Sequence, residues 1–237
     1  MIPDWQIRTE LLLGEASLKK FAKSHVLVAG LGGVGAYAAE QLARAGIGKL
    51  TLVDGDTIHP SNRNRQLLAL TSNEGQDKTL LMAERLRAIN PELELRLVQD
   101  FIKDDKTKKL LEEPFDYIVD AIDSLSPKVF LLAQALQKSH KIVSSMGAGG
   151  KLDPTQIAIA DISKTKHCRL AFYIRKKLRK LGVDQGFTAV YSTEMVAKST
   201  IIKSETAEGK RSTIGTISYM PAIFGCYCAS VVLRNLK

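Results

Sequence analysis

The chain has 237 residues, a formal net charge of +9 and three cysteines. That length suits one large α/β domain, or one and a half small ones, with room for a real core, and the apolar share is that of a globular protein. Cys168, Cys226 and Cys228 are too few and too unevenly placed for a disulfide framework. With no charged-then-apolar leader before the first strand, a reducing cytoplasm is the expected compartment.

In chain order, His25 to Gly30 reads as a buried apolar strand and Val34 to Ala45 as an alanine-rich helix. Lys49 to Asp54 follows as a second strand after the Gly46-Ile47-Gly48 turn. This is a βαβ unit. Lys78 to Ile89 is an amphipathic helix stopped by Asn90-Pro91, and Glu94 to Gln99 and Tyr117 to Ala121 are strands. Pro127 to Lys138 is a helix and Lys141 to Ser145 a strand. After Gly147-Ala148-Gly149-Gly150 the pattern shifts to shorter strands, Gln156 to Asp161 and Thr188 to Ser192, around a basic helix. The expected fold is α/β: a Rossmann-like, mostly parallel sheet with helices on both faces, plus a smaller C-terminal α+β extension. Residues 1–150 would form the nucleotide-binding domain and residues 151–237 a part integrated with it.

The charge divides unevenly along the chain. Residues 1–150 hold 19 Lys+Arg and 19 Asp+Glu, whereas residues 151–237 hold 15 and 6, so the whole excess is C-terminal. Lys164 to Lys180 contains eight basic residues and no acid, with Leu170, Ile174, Leu178 and Leu181 at helical spacing. This reads as an amphipathic helix whose basic face is either merely solvated or a contact for a phosphate backbone, with Arg175, Lys176, Arg179 and Lys180 as the candidate contacts.

The loop Gly30-Leu31-Gly32-Gly33-Val34-Gly35 lies between the first strand and helix. Gly30 suits the tight turn, Gly32 and Gly33 allow backbone amides to approach phosphate, and Gly35 allows helix and strand to pack closely. Asp54, at the end of the second strand, is placed to accept hydrogen bonds from ribose hydroxyls. These features fit NAD, FAD, S-adenosylmethionine or ATP alike. Asn62-Arg63-Asn64-Arg65-Gln66 narrows the choice. Arg63 and Arg65 can clamp phosphate oxygens, Lys78 adds a point charge and Gln66 can orient by hydrogen bonds, none of which hydride transfer requires. Asp120 and Asp123 lie where the Tyr117 to Ala121 strand ends. Either could hold Mg2+ against phosphates, Asp123 being favoured, with a helix cap before Pro127 as the structural alternative.

These stretches resemble the ThiF/MoeB/ubiquitin-activating superfamily, which adenylates carboxylates with ATP. The matching segments are Gly30 to Gly35, Asp54-Gly55-Asp56, Asn62 to Gln66, Lys78, Asp120-Ala121-Ile122-Asp123 and Arg8 to Glu15. The resemblance implies that Asp54 binds ribose, that Arg65 and Lys78 bind phosphates and that Asp123 assists magnesium. It makes Gly30, Gly32, Gly33, Gly35, Asp56, Asn62, Asn64 and Gln66 the rest of the nucleotide surround. It also implies that Arg8 reaches the ATP of a neighbouring subunit, so the active unit would be a homodimer. Two departures separate subfamilies. The two Cys-x-x-Cys pairs that hold structural zinc in many relatives are missing, so no structural zinc is expected. Of the cysteines, Cys168 alone lies near the place of a thioester-forming nucleophile, and a bystander thiol is the plainer reading.

Three further segments resemble the tRNA threonylcarbamoyladenosine dehydratase branch: Gly147 to Ile157, Asp161-Ile162-Ser163-Lys164-Thr165 and Tyr191-Ser192-Thr193-Glu194, with the likeness continuing through Glu205-Thr206-Ala207-Glu208-Gly209. This branch adenylates the threonylcarbamoyl carboxylate on tRNA, after which internal attack by the carbamoyl group expels AMP. The resemblance implies tRNA as partner, leaving a sulfur-transfer protein as a further partner. Adenylation of a ubiquitin-like sulfur carrier is the first alternative and a nicotinamide-dependent oxidoreductase the second. The twenty uncharged residues from Ile214 to Leu233 are long enough to span a bilayer. Gly215, Pro221 and Gly225 interrupt them, which favours a short strand and a buried helix over a membrane-touching tail.

Overall fold

A computed structural model describes residues 2–202 and 213–237, and the Glu205 to Gly209 segment lies outside the described residues. Two short helices come first, α1 (Ile7–Leu13) and α2 (Glu15–Lys23). The first half then alternates strand and helix: β1 (His25–Ala29), α3 (Gly35–Arg44), β2 (Lys49–Val53), α4 (Lys78–Ile89), β3 (Glu94–Val98), α5 (Asp104–Leu110), β4 (Tyr117–Asp120), α6 (Leu125–Gln137) and β5 (Ile142–Ser145). The second half contains β6 (Ile157–Asp161), α7 (Arg169–Arg179), β7 (Thr188–Ser192), a small ribbon of β8 (Ile201–Ile202) and β9 (Thr213–Ile214), and α8 (Tyr219–Leu236).

One seven-stranded sheet runs β3-β2-β1-β4-β5-β7-β6. Every neighbouring pair is parallel except β6 with β7. The C-terminal strands therefore extend the central sheet: β7 lies beside β5, and β6 folds back along it as the edge. Alternation along the buried strands sends successive side chains to opposite faces and makes two cores. Val26, Val28, Leu50, Leu52, Val119 and Val143 pack beneath α3, α4 and α8. On the other face Leu27, Ala29, Val53, Ile118 and Ile142 pack beneath α5, α6 and α7.

The C-terminal run has its apolar surface inside the protein. Met220, Phe224, Cys228 and Val232 of α8 are fully or almost fully buried in the first core. No helix among the described residues is long and apolar enough to cross a membrane. Gly225, which interrupts the apolar run in the sequence, is where α8 meets α3: a Cβ there would lie 2.4 Å from the Val34 carbonyl oxygen and 2.8 Å from Tyr37 Cβ.

Helix α7 is shorter than the Lys164 to Lys180 pattern suggests, because Ile162–Lys164 forms a 3-10 turn and α7 starts only at Arg169. Ala171, Ile174 and Leu178 are its buried stripe, while Leu181, beyond the helix end, is exposed.

The contact at Gly225 sets a test. Gly225→Ala is expected to push α8 from α3 and cost about 1–3 kcal/mol, as over-packing does. Urea unfolding measures it, and an unshifted midpoint would mean that the two helices are not tightly apposed.

Candidate nucleotide-binding site

Sheet order reverses between β1 and β4, where crevices form beyond the carboxyl ends of parallel strands. Register puts Ala29 beside both Val53 and Asp120, so the glycine loop, Asp54 and the segment from Asp120 to Asp123 gather at this one edge.

The loop is shaped by close approaches. Gly30 has φ +90°, a conformation L side chains rarely adopt, and a Cβ on it would meet the Ala121 carbonyl oxygen at 2.8 Å. A Cβ on Gly35 would lie 1.7 Å from the Gly30 carbonyl oxygen, which is the tight helix–strand packing expected of that position. Gly33 is hemmed in by protein, with Pro221 Cβ 2.9 Å and the Arg65 carbonyl oxygen 3.2 Å from where its Cβ would stand. Gly32 is different: among the described residues only Gln66 Nε2 comes near, at 3.7 Å. The open side of the loop is therefore at Gly32.

Asp54 holds the loop as well as facing the crevice. Its Oδ2 accepts from the Leu31 N–H at 2.6 Å and its Oδ1 from the Asp56 N–H at 2.8 Å. Burial pushes its carboxyl above the ordinary range, against the pull of Lys78 and of these two hydrogen bonds. Because each carboxylate oxygen has a second lone pair, the group retains acceptor capacity toward a ligand. Asp56 is exposed and pairs with Lys78, whose Nζ lies 3.0 Å from Oδ2 although the lysine is only 3 % exposed. The first residue of α4 thus presents a desolvated ammonium at the crevice.

The segment from Asn62 to Gln66 forms a compact turn. Asn62 Oδ1 accepts from the His59 N–H at 3.1 Å. Arg63 is exposed, and its Nε donates to the Pro60 carbonyl at 3.3 Å. Arg65 Nη1 donates to Ser61 O at 2.9 Å and to Asn64 Oδ1 at 2.7 Å, which braces the guanidinium, while the Arg65 backbone and Cγ lie against Gly33. Asn64 Nδ2 donates to Thr216 O at 3.0 Å and ties the turn to the segment entering α8. Gln66 Oε1 is buried without a hydrogen-bond partner among the described residues. A buried polar atom left unpaired beside an open glycine fits a site that is completed by a polar ligand.

Asp120 and Asp123 have separate roles. Asp120 is fully buried and paired with the equally buried Lys128, whose Nζ lies 2.8 Å from Oδ2. Ser144 Oγ donates to the same oxygen at 2.6 Å, and the Ile122 N–H donates to Oδ1 at 3.1 Å. Lys128 also donates to the Ile122 carbonyl at 3.0 Å. Asp120 is therefore committed to the interior, whereas Asp123 is exposed at the edge, with Ser124 Oγ donating to it at 3.1 Å. Among the described residues no group of three His, Cys, Asp or Glu side chains could hold a metal. Asp123 is the carboxylate that would hold a magnesium ion here.

The remaining candidates lie apart from this edge. Arg8 is exposed on α1, next to the exposed Ile7, Leu11 and Leu12. Cys168 is buried at the start of α7. Cys228 is buried in α8, and desolvation pushes its thiol up to about 12. On α7, Arg175 Nη1 bonds to Thr165 Oγ1 and Arg179 Nε pairs with Asp184 at 3.1 Å, while Lys176 and Lys180 are exposed. The sequence reading missed Lys128, Lys177 and the exposed Phe172 and Tyr173. A lysine inside the apolar stretch of α6 was the available signal for Lys128.

Residues 4–237 match the ThiF family. The tRNA threonylcarbamoyladenosine dehydratase of Escherichia coli strain K12 is 39% identical over 96% of this chain and 91% of its own length. The enzyme of the same name from Bacillus subtilis strain 168 is 42% identical over 79% of this chain and 74% of its own. A crystal structure of the E. coli enzyme, TcdA, in complex with ATP superposes with a TM-score of 0.88 at 38% identity, covering 100% of this chain and 96% of that one.

The buried pair gives a stability test. Lys128→Met leaves the Asp120 charge without compensation and is expected to cost about 3–5 kcal/mol, most of which the double variant Asp120→Asn, Lys128→Met recovers. Denaturant melts of the wild type, the two single variants and the double variant check this, and additive losses would refute it.

Proposed function

The chain belongs to the ThiF family, and we propose that it is an ATP-dependent tRNA threonylcarbamoyladenosine dehydratase. The observation that carries the reading is the meeting, at one sheet edge, of an open glycine loop, the buried Lys78 ammonium and the braced Arg65 guanidinium. The relatives of that name, matched over most of the chain, support it.

Adenylation brings a carboxylate against a triphosphate, so the site must offset repulsion between anions and the charge that grows on the phosphorus oxygens. Lys78 and Arg65 supply two fixed positive charges, the first desolvated and the second a fork suited to phosphate oxygens. Asp54 accepts from ribose, Gln66 and Asn62 border the nucleotide, Asn64 and Asp56 hold Arg65 and Lys78, and the amides of the glycine loop face the phosphates at the start of α3. Magnesium held through Asp123 would add Lewis-acid neutralisation of the phosphates. The substrate carboxylate attacks the α-phosphorus and pyrophosphate leaves. The carbamoyl group then attacks the activated carbonyl, and the departing carboxylate oxygen leaves in AMP, which amounts to loss of water. No enzyme nucleophile is required, in keeping with a buried Cys168.

We place the RNA on the basic C-terminal part, with Lys176 and Lys180 as direct phosphate contacts and Arg175 and Arg179 braced behind them. Arg8 and the exposed apolar side chains of α1 would meet a second copy of the chain, making the unit a homodimer in the cytoplasm. The same crevice would serve adenylation of a sulfur-carrier protein, but the basic surface suits RNA better. Nicotinamide chemistry has no use for Arg65 and Lys78.

Incubation with ATP and tRNA that carries the threonylcarbamoyl group should convert the nucleoside to a product lighter by one water, seen by mass analysis of the digested tRNA. Arg65→Ala should bind the tRNA and form no product; wild-type turnover by that variant would sink the assignment. Replacing Lys176 and Lys180 by Gln should weaken tRNA binding and reduce the salt slope by roughly two, about 0.9 per lost phosphate contact. An unchanged slope would show that these lysines are only solvated.

A further inference from the structure

Adenylation leaves unused a groove of about 440 Å³ between α6 and α7, lined by Val129, Tyr173, Lys176, Lys177, Lys180 and Leu181. Its lining is of two kinds. Val129 is buried at its base, while Tyr173 and Leu181 are 38 % and 56 % exposed, an apolar surface that water covers at a cost. The three lysines are exposed, and among the described residues none of them forms an ion pair; Asp184, the acid close to the end of α7, is taken by Arg179.

The aromatic residue is itself positioned. The Phe172 ring meets Tyr173 edge to face at 5.4 Å between centroids, and the Arg169 guanidinium lies 5.7 Å from the Tyr173 centroid. The ring therefore sits in a cationic surround on a helix fixed by Ala171, Ile174 and Leu178. A flat apolar ring, an aliphatic neighbour and a rim of unpaired cations are complementary to a nucleobase with its phosphates.

We infer that this groove takes one unpaired nucleotide of the RNA substrate, its base stacked on Tyr173 against Leu181 and its phosphates on Lys176, Lys177 and Lys180. The inference rests on the proposed RNA substrate and adds where, and in what conformation, the RNA is held. Duplex RNA is recognised by its shape and backbone and would use the lysines alone, whereas a loop can splay a base onto an aromatic ring. Position supports the same choice. Val129 is the fifth residue of α6, which begins two residues after Asp123, so at 1.5 Å per residue the groove opens about 6 Å along the helix from its start at the nucleotide edge. One loop could thus present its modified nucleoside to the crevice and a nearby base to the groove.

The test compares two RNAs of equal length, a hairpin with an unpaired loop and a fully paired duplex. Tyr173→Ala should weaken hairpin binding roughly tenfold and leave duplex binding unchanged, since a stacked base is worth about that much. Tyr173→Phe keeps the ring and should stay close to wild type. Gln at Lys176, Lys177 and Lys180 should weaken both RNAs and flatten both salt dependences. Unchanged hairpin affinity in Tyr173→Ala, with wild type binding the hairpin, overturns the groove and leaves the dehydratase reading standing. Wild type binding neither RNA overturns both. If Tyr173→Ala loses both RNAs together, Tyr173→Ile decides: it preserves bulk on α7, and retention of the hairpin preference would overturn the stacking role.

Discussion

Helix α3 is held between β1 and α8 at distances that admit no side chain, and the crevice depends on this. Gly35 lets the helix start against the Gly30 carbonyl, and Gly225 lets α8 cross against the carbonyl of Val34. With both contacts made, Pro221 lies over Gly33 and the backbone at Thr216 comes within reach of Asn64. The C-terminal helix thereby braces the turn that carries Arg65. A site at the N-terminal end of the fold is completed by residues from the far end of the chain, joined through packing.

Electrostatics within the crevice follow from the same compactness. Lys78 is buried and held by the exposed Asp56, a partner that can turn to water at little cost. Asp54 is the reverse case, an acid whose burial disfavours its charge and which is kept useful by two backbone N–H groups and by Lys78. Below it Asp120 and Lys128 neutralise each other completely inside the protein and hold the backbone of Ile122 from both sides. That arrangement fixes the departure of the chain toward Asp123 without lending the crevice any net charge.

The βαβ start, the glycine loop and the Arg65 turn were legible because their signals are local: an apolar run, a glycine spacing and two arginines set among amides need few neighbours to interpret. Other features depended on partners distant in sequence. Asp120 reads from the sequence as a strand-end acid like Asp123; Lys128 and Ser144, which bury its charge, become its neighbours only once α6 and β5 are in place. Likewise the two C-terminal strands look like an extension, because nothing local tells β7 that its neighbour is β5 or that β6 must reverse along it. Leu181 fits the helical stripe by spacing, but α7 ends before it, so the pattern counted a groove residue as core. Gly225 looked like an interruption in an apolar run, and its reason lies in Val34 and Tyr37.

The segments that distinguish this branch from other ThiF-like chains contribute support more than chemistry. The Glu194 carboxylate accepts from the N–H groups of Leu152 and Asp153, both at 2.9 Å, and Asp153 in turn accepts from the N–H and hydroxyl of Thr155. Asp161 binds the Ser163 and Gly186 N–H groups, and Thr165 receives Arg175 from α7. These polar clasps fix the turn after β5 and the base of the basic helix onto the sheet that carries the crevice. A common adenylating site becomes selective when a second surface is held at a constant distance from it, because binding energy gained there can orient the reacting group. The branch motifs matter through geometry: they set how far the cationic face of α7 stands from Lys78 and Arg65.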